Sequence, residues 1–332
     1  MSNDELLQSV QEGAGMKALD DLVIRSPRSG KVLVRVGLRV SLKFRDGHTL
    51  DKRLAMVEMW HSYYDTFKEH LSHWQKPDAT RLTKLKNEFP PFEQLARDIS
   101  TDQHFDGCLW GFPNEETLAQ PALYEVGGLC LKSLKQNKNS YVDANIPASW
   151  AVAKGWDRFR ELVQHWCDIL QAIHGTAGPS LLFEPAMGSI YLEDAYGLLK
   201  RFPSLDHEES GLWSNEVGDN IHKIRTINWL TVLGEPLIAE IGGRETMRTA
   251  LHDERPILDC PMFDYEGGTV IQAGGEPELG DLNFGFVPET YRKVAQLTKP
   301  LRFEGYRSGA LAGVPKPLDN LEETRSWIAR FD

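Results

Sequence analysis

The sequence predicts an α+β fold, with mixed or antiparallel sheets packed against long amphipathic helices in two closely packed lobes. Three observations carry this prediction. Residues 32–44 alternate apolar and polar side chains from Val34 onward, the period of a strand with one buried face. Two stretches, at 52–74 and 156–173, repeat apolar residues at three- and four-residue steps, as amphipathic helices do. Strands and helices otherwise follow one another without regular βαβ alternation.

The elements follow in chain order. Residues 1–30 are polar, with Gly13, Gly15, Pro27 and Gly30, and are expected to form a flexible leader. Met1-Ser2-Asn3-Asp4-Glu5 is acidic and lacks the basic and apolar regions of an export signal. No run approaches the ~18 apolar residues of a membrane span. A cytoplasmic protein without a membrane partner is the expectation. The first lobe, 31–150, begins with the alternating strand, closed by the turn Arg45-Asp46-Gly47-His48. The helix at 52–74 turns Leu54, Val57, Tyr64, Phe67, Leu71 and Trp74 inward, with His61 in the missing position, and Lys76-Pro77-Asp78 stops it. Shorter strands are expected near 108–112, 124–131 and 140–144.

The second lobe, 151–332, opens with a helix whose inner face is Trp156, Phe159, Val163, Trp166, Leu170 and Ile173, ended by His174-Gly175. A strand at 180–184 and a helix at 192–200 lead to a long loop at 203–222. Strands are then expected at 224–230 and 269–273, and helices at 236–241, 245–251, 288–299 and 318–331.

Charge divides unevenly between the lobes. The net charge is −11, but residues 1–150 carry 19 Lys/Arg against 20 Asp/Glu, whereas residues 151–332 carry 18 against 28. Two segments hold acids without Lys or Arg: 203–222, with Asp206, Glu208, Glu209, Glu216 and Asp219, and 256–291, with Glu276, Glu278 and Asp281 among its seven. Such surfaces repel nucleic-acid phosphates and attract basic partners, although a solvated, solubilising surface has the same composition.

Catalytic patterns are missing. The sequence has no Walker phosphate loop, dinucleotide fingerprint, nucleophile elbow or H-E-x-x-H helix. Cys108, Cys130, Cys167 and Cys260 form no C-x-x-C pair and read as small buried hydrophobes. His70 and His73 have a metal-like spacing but lack further ligands nearby in sequence. Cys167 and His174, read as one helix, stand two turns apart, about 10 Å, beyond nucleophile–base reach. Neither a cofactor nor a metal is expected.

Three segments carry a resemblance. They are Ile227-Asn228-Trp229-Leu230-Thr231-Val232-Leu233-Gly234 with Ile241-Gly242-Gly243; Gly268-Thr269-Val270-Ile271-Gln272-Ala273-Gly274 with Pro277-Glu278-Leu279-Gly280-Asp281-Leu282-Asn283; and Pro288-Glu289-Thr290-Tyr291-Arg292-Lys293-Val294-Ala295 leading to Lys299-Pro300-Leu301-Arg302. In this order and spacing they resemble the TsiV-like immunity family of type VI secretion, which accompanies effectors with a VRR-Nuc nuclease domain. The likeness extends over most of 30–303 and is weakest at 80–150 and 203–222. It implies a cytoplasmic antitoxin that inhibits a cognate DNase effector and is not an enzyme. Its acidic surface would cover the effector's basic DNA-binding face or active site and bind no nucleic acid directly. The expected contacts are Asp206, Glu208 and Glu209 around Trp213 as an aromatic anchor, then Glu216 and Asp219, with Glu276, Glu278 and Asp281 as a second set. The alternatives are a carboxylate-based enzyme using 276–281, or a secretion-system adaptor that binds without inhibiting.

Overall fold

Strand β2 (Val32–Phe44) is the axis of the molecule, because it is paired along both edges. The structure, a computed structural model, describes residues 16–332 apart from 115, 116, 119, 185, 186 and 312. The first fifteen residues of the expected leader, Gly13 and Gly15 included, lie outside the described residues.

On one edge β2 pairs with β7 (Ser140–Ile146) and, near its start, with β1 (Val23–Arg25); on the other it pairs with β8 (His174–Phe183). Beyond β7 come β6 (Tyr124–Cys130), β5 (Phe105–Gly111), β3 (His73–Gln75) and β4 (Thr83–Lys84). Beyond β8 come β9 (Leu230–Gly234), β11 (Gly268–Gln272) and β10 (Met262–Tyr265). The result is one 11-stranded sheet in which all the pairings are antiparallel. The boundary expected near residue 150 falls after β7, and the sheet runs across it through the β2–β8 pairing.

The even-numbered residues of β2, Val34, Val36, Leu38, Val40, Leu42 and Phe44, are all at most 1% exposed. They share a core with α1 (Leu50–Phe67) and α4 (Trp156–Leu170). These helices pack on each other: Trp166 Nε1 donates to Ser62 Oγ at 3.1 Å, and its ring lies 5.9 Å from that of Tyr63. The buried face of α1 is Met56, Val57, Met59, Trp60, Tyr63, Tyr64 and Phe67, so Val57, Tyr64 and Phe67 face inward as expected, while Leu54 is half-buried and His61 is exposed.

Both long helices end earlier than their apolar periodicity predicts. After Phe67 the chain tightens into a short 3-10 turn, and His73 and Trp74 pair with Trp110 and Leu109 of β5 instead of continuing the helix. The approach is close: a Cβ on Gly111 would stand 2.2 Å from the His70 carbonyl oxygen, so only glycine fits there. Helix α4 stops where Gln171 takes a left-handed conformation, φ 52°, and His174-Gly175 begins β8 rather than capping a helix. Cys167 and His174 therefore lie on different elements.

Three further expectations are corrected. From Met16 the leader is packed: Leu19 and Leu22 are buried, and the Asp20 carboxylate accepts the backbone N–H groups of Ala148 and Ser149 at 2.7 and 2.9 Å, at the start of α3 (Ala148–Lys154). Residues 224–229 are buried but not a strand, which begins at Leu230. The acidic stretch 203–222 holds helix α6 (Ser210–Val217), with Trp213 only 2% exposed. Helices α5 (Gly188–Arg201), α7 (Glu235–Glu240), α8 (Gly243–Leu251), α9 (Glu289–Thr298) and α10 (Asn320–Ile328) lie where the sequence places them, within a few residues at their ends.

Leu38 sits mid-strand, fully buried. Leu38→Ala is expected to lower stability by about 2–5 kcal/mol through lost transfer energy and a cavity. Urea unfolding should show this as a lower midpoint at unchanged slope.

Candidate functional site

The other face of β2 carries Arg35, Arg39, Ser41 and Lys43, because side chains alternate along a strand. Antiparallel register sets Asn145 and Asp143 of β7 opposite Arg39 and Ser41. Glu125 of β6 lies opposite Asn145, and Trp110 of β5 lies opposite Glu125. Register alone thus assembles a polar surface from four strands.

These groups form a chain of contacts. The Asn145 amide donates to Glu125 Oε2 at 3.0 Å, and Arg39 Nη1 donates to Asn145 Oδ1 at 2.9 Å. Arg39 also pairs with Asp143 at 3.1 Å. The Ser41 and Ser210 hydroxyls donate to Asp143 Oδ1 at 2.6 and 2.9 Å. Lys43 Nζ donates to Ser210 Oγ at 2.5 Å and to Glu208 at 3.1 Å. Arg225 closes the inner end, 2.5 Å from Glu208 and 2.7 Å from both oxygens of Asp206. Lys43, Asp206, Glu208 and Arg225 are each less than a tenth exposed.

Burial raises the Glu208 carboxyl, but Arg225, Lys43 and Arg39 outweigh it and hold the group below the usual carboxylate range. Burial likewise drives His174 down to about 3 and His207 down to about 4, so both are neutral in the fold. Toward the open end the balance reverses: burial lifts Glu125 to about 7, with Arg39 and the Trp110 indole opposing it.

The open end is a cleft of about 690 Å³ above β5, β6, β7 and β2, walled by Phe183, Glu184 and the start of α6. Its lining includes Asp106, Glu125, Asp143, Glu184, Glu208 and Glu209, with Arg39 as its one basic residue among the described residues.

The expected contact residues scatter. Asp206 and Glu208 are internal partners of Arg225, and Trp213 packs against Phe303 and Tyr306 in the core, so these three present nothing to a partner. Glu209 reaches the cleft wall beside Gly188. Glu216 accepts the backbone N–H groups of Arg307 and Ser308, and exposed Asp219 accepts from the Asn137 amide. Asp281 is buried, grips Arg201 through both oxygens and caps the turn at Asn283. Glu276 and Glu278 are exposed. Sequence reasoning passed over Arg39, Glu125 and Asp143; the signal was the run of polar residues on one face of β2.

His70 stacks on Tyr124 and His73 accompanies Ser72, and no group of three metal-type side chains is placed to hold an ion among the described residues. All four cysteines are free thiols. No helix among the described residues is long and apolar enough to cross a membrane.

Residues 55–331 match the family described as type VI immunity for VRR-NUC. The chain belongs to this family. Its fold is that of the Pseudomonas aeruginosa type VI secretion protein PA0821, with TM-score 0.81 over 99% of this chain and 91% of that one. Sequence identity is 19%, so this likeness is one of fold. No curated protein sequence matches. The segments that signalled the immunity family from sequence lie largely in its core: Trp229, Leu230, Val232, Val270, Ile271, Tyr291 and Val294 are fully buried.

Two measurements test the network. Arg225→Ala leaves Asp206 and Glu208 buried without their cation and should cost about 3–5 kcal/mol in chemical unfolding. Glu125 works in the opposite sense. A carboxyl raised in the fold loses stability as pH climbs from its unfolded value toward about 7. Glu125→Gln should therefore stabilise the protein by about 1–2 kcal/mol at pH 8, allowing for solvent screening, and give no gain at pH 4.

Proposed function

We propose that this protein is the immunity partner of a VRR-Nuc effector, binding it in the cytoplasm and blocking its DNA-binding or active site without catalysis of its own. The family match over residues 55–331 carries this reading. The charge of the cleft supports it. A nuclease holds phosphates with Lys and Arg, and a concave surface lined by more carboxylates than basic side chains is complementary to such a groove, with Glu208 in its lining met by Lys43 and Arg225 and Glu184 by Lys31. Occlusion needs a fitted surface rather than a reactive group, in keeping with the missing catalytic motifs.

The acids that meet the effector are then not those of 203–208, whose charge is met inside the protein. Glu276, Glu278 and Asp219 are the exposed members of the expected set, and Glu209 lines the cleft with Asp106, Glu125 and Glu184. The carboxylate-based enzyme reading is less well supported, because Asp281 is buried and bound by Arg201 whereas Glu276 and Glu278 are exposed.

The test is DNA cleavage by a cognate VRR-Nuc effector, with and without the protein. A stoichiometric amount should abolish cleavage; cleavage that persists in its excess would sink the immunity reading. Asp106→Asn with Glu209→Gln should slow association about tenfold at low salt and much less at high salt, as stopped-flow binding would show.

A further inference from the structure

Most of the exposed large apolar side chains among the described residues are scattered singly, which is ordinary for a protein surface. Three are not. Leu282, Phe284 and Phe286 stand on one turn between β11 and α9, 43%, 75% and 48% exposed. Both rings fall between the segments that carry the family resemblance, which end at Asn283 and resume at Pro288.

The turn is held firmly. Asp281 and Phe286 exchange backbone hydrogen bonds of 2.8 and 2.9 Å, closing its base as an antiparallel bridge. The Phe284 N–H donates to the Asp281 carbonyl and the Gly285 N–H to the Leu282 carbonyl, each at 3.1 Å. Gly285 takes the left-handed conformation, φ 67°, that this geometry requires. Below, the Asp281 carboxylate grips Arg201 with both oxygens and accepts the Asn283 N–H. These bonds run through the backbone and Asp281, and none of them needs an aromatic ring at the tip. A rigid turn that presents two phenyl rings to water is a preorganised anchor, since little freedom is left to lose when a partner covers it.

The surrounding charge selects the partner. Glu276 and Glu278 are exposed, meet no Lys or Arg among the described residues, and lie within six residues of Leu282, at most about 22 Å by chain length. Exposed Asp194 shares the α5 face of Arg201, two turns and about 10 Å away. Against these three stands the exposed Arg292. An acidic collar disfavours anionic lipid headgroups and a second copy of a chain of net charge −11, and it suits a protein pocket edged by Lys and Arg. We infer that the 282–286 turn is an anchor that inserts Phe284 and Phe286 into an apolar pocket of the effector edged by basic side chains. This rests on the immunity reading for the partner's identity and adds the surface by which the partner is held.

The full chain is tested against a cognate VRR-Nuc effector. Phe284→Ser with Phe286→Ser should speed dissociation about a hundredfold, with the association rate and its salt dependence within about twofold of the original. Phe284→Leu with Phe286→Leu keeps the tip apolar and should recover most of the loss. The free serine variant should melt within about 2 °C of the original protein, because its rings stand in water. An unchanged dissociation rate, in a protein that still protects DNA, overturns this inference and leaves the immunity reading standing. Failure of the original protein to protect DNA sinks that reading and this inference with it. Three further results would each overturn the inference by giving the rings another occupant. They are a serine variant that melts many degrees lower, a dimer in sedimentation that the serine pair abolishes, and binding to phosphatidylcholine–phosphatidylglycerol vesicles that the serine pair abolishes.

Discussion

Lys43 and Arg225 are cations behind a β-sheet, and a buried cation is tolerable only with carboxylates around it. Much of the second half of the chain is arranged to meet that condition. The 203–222 segment lies across β2 and β8, supplying Asp206 and Glu208 from an irregular stretch and Ser210 from the first turn of α6. The last helix closes the site from outside: Arg225 lies 5.0 Å from the Trp327 ring, and Arg330 donates to the Pro203 carbonyl. Remove the cations and the acids become a liability; remove the acids and the sheet face cannot be covered.

That arrangement explains why charge counted along the chain misled in one place. Asp206 and Glu208 sit in a stretch without Lys or Arg, and linear composition marks it as a negative surface. Lys43, the partner of Glu208, stands 165 residues away in the chain, and Arg225, 19 residues from Asp206, lies just past the end of the stretch. Trp213 failed as an anchor for the same reason, since its neighbours Phe303 and Tyr306 come from far downstream. By contrast the strand at 32–44 was legible to the residue, because alternation is a local property that one buried face imposes. The helices were legible in kind but not in extent. Apolar periodicity continues through Trp74 and Ile173, yet strand pairing at His73 and His174 captures those residues. The cleft was half visible: Arg39, Ser41 and Lys43 shared a face in the sequence, but only the register with β7 and β6 shows which acids stand opposite.

The family's segments and the proposed partner site occupy different parts of the molecule. The segments by which the family is known build β9, β11 and α9, around buried Trp229 and Tyr291. They fix a scaffold and offer a partner very little. The cleft is lined instead by β5, β6 and β7, where the family resemblance in sequence is weakest, and by the edge of the 203–222 segment. A fold maintained by its interior can change the residues of that cleft without disturbing the sheet below.

The central position of β2 also has a meaning in time. Its residues leave the ribosome early, but β7 ends at residue 146 and β8 at residue 183. At about 5–20 residues per second, the strand waits roughly seven to thirty seconds before both edges can close. Through that interval the nascent chain carries a long apolar strand with its hydrogen-bonding groups unclaimed, the kind of segment on which chains stick to one another. The charged side chains at every other place on its polar face, Arg35, Arg39 and Lys43, keep that waiting strand from pairing with its copies before they are drawn into the finished protein.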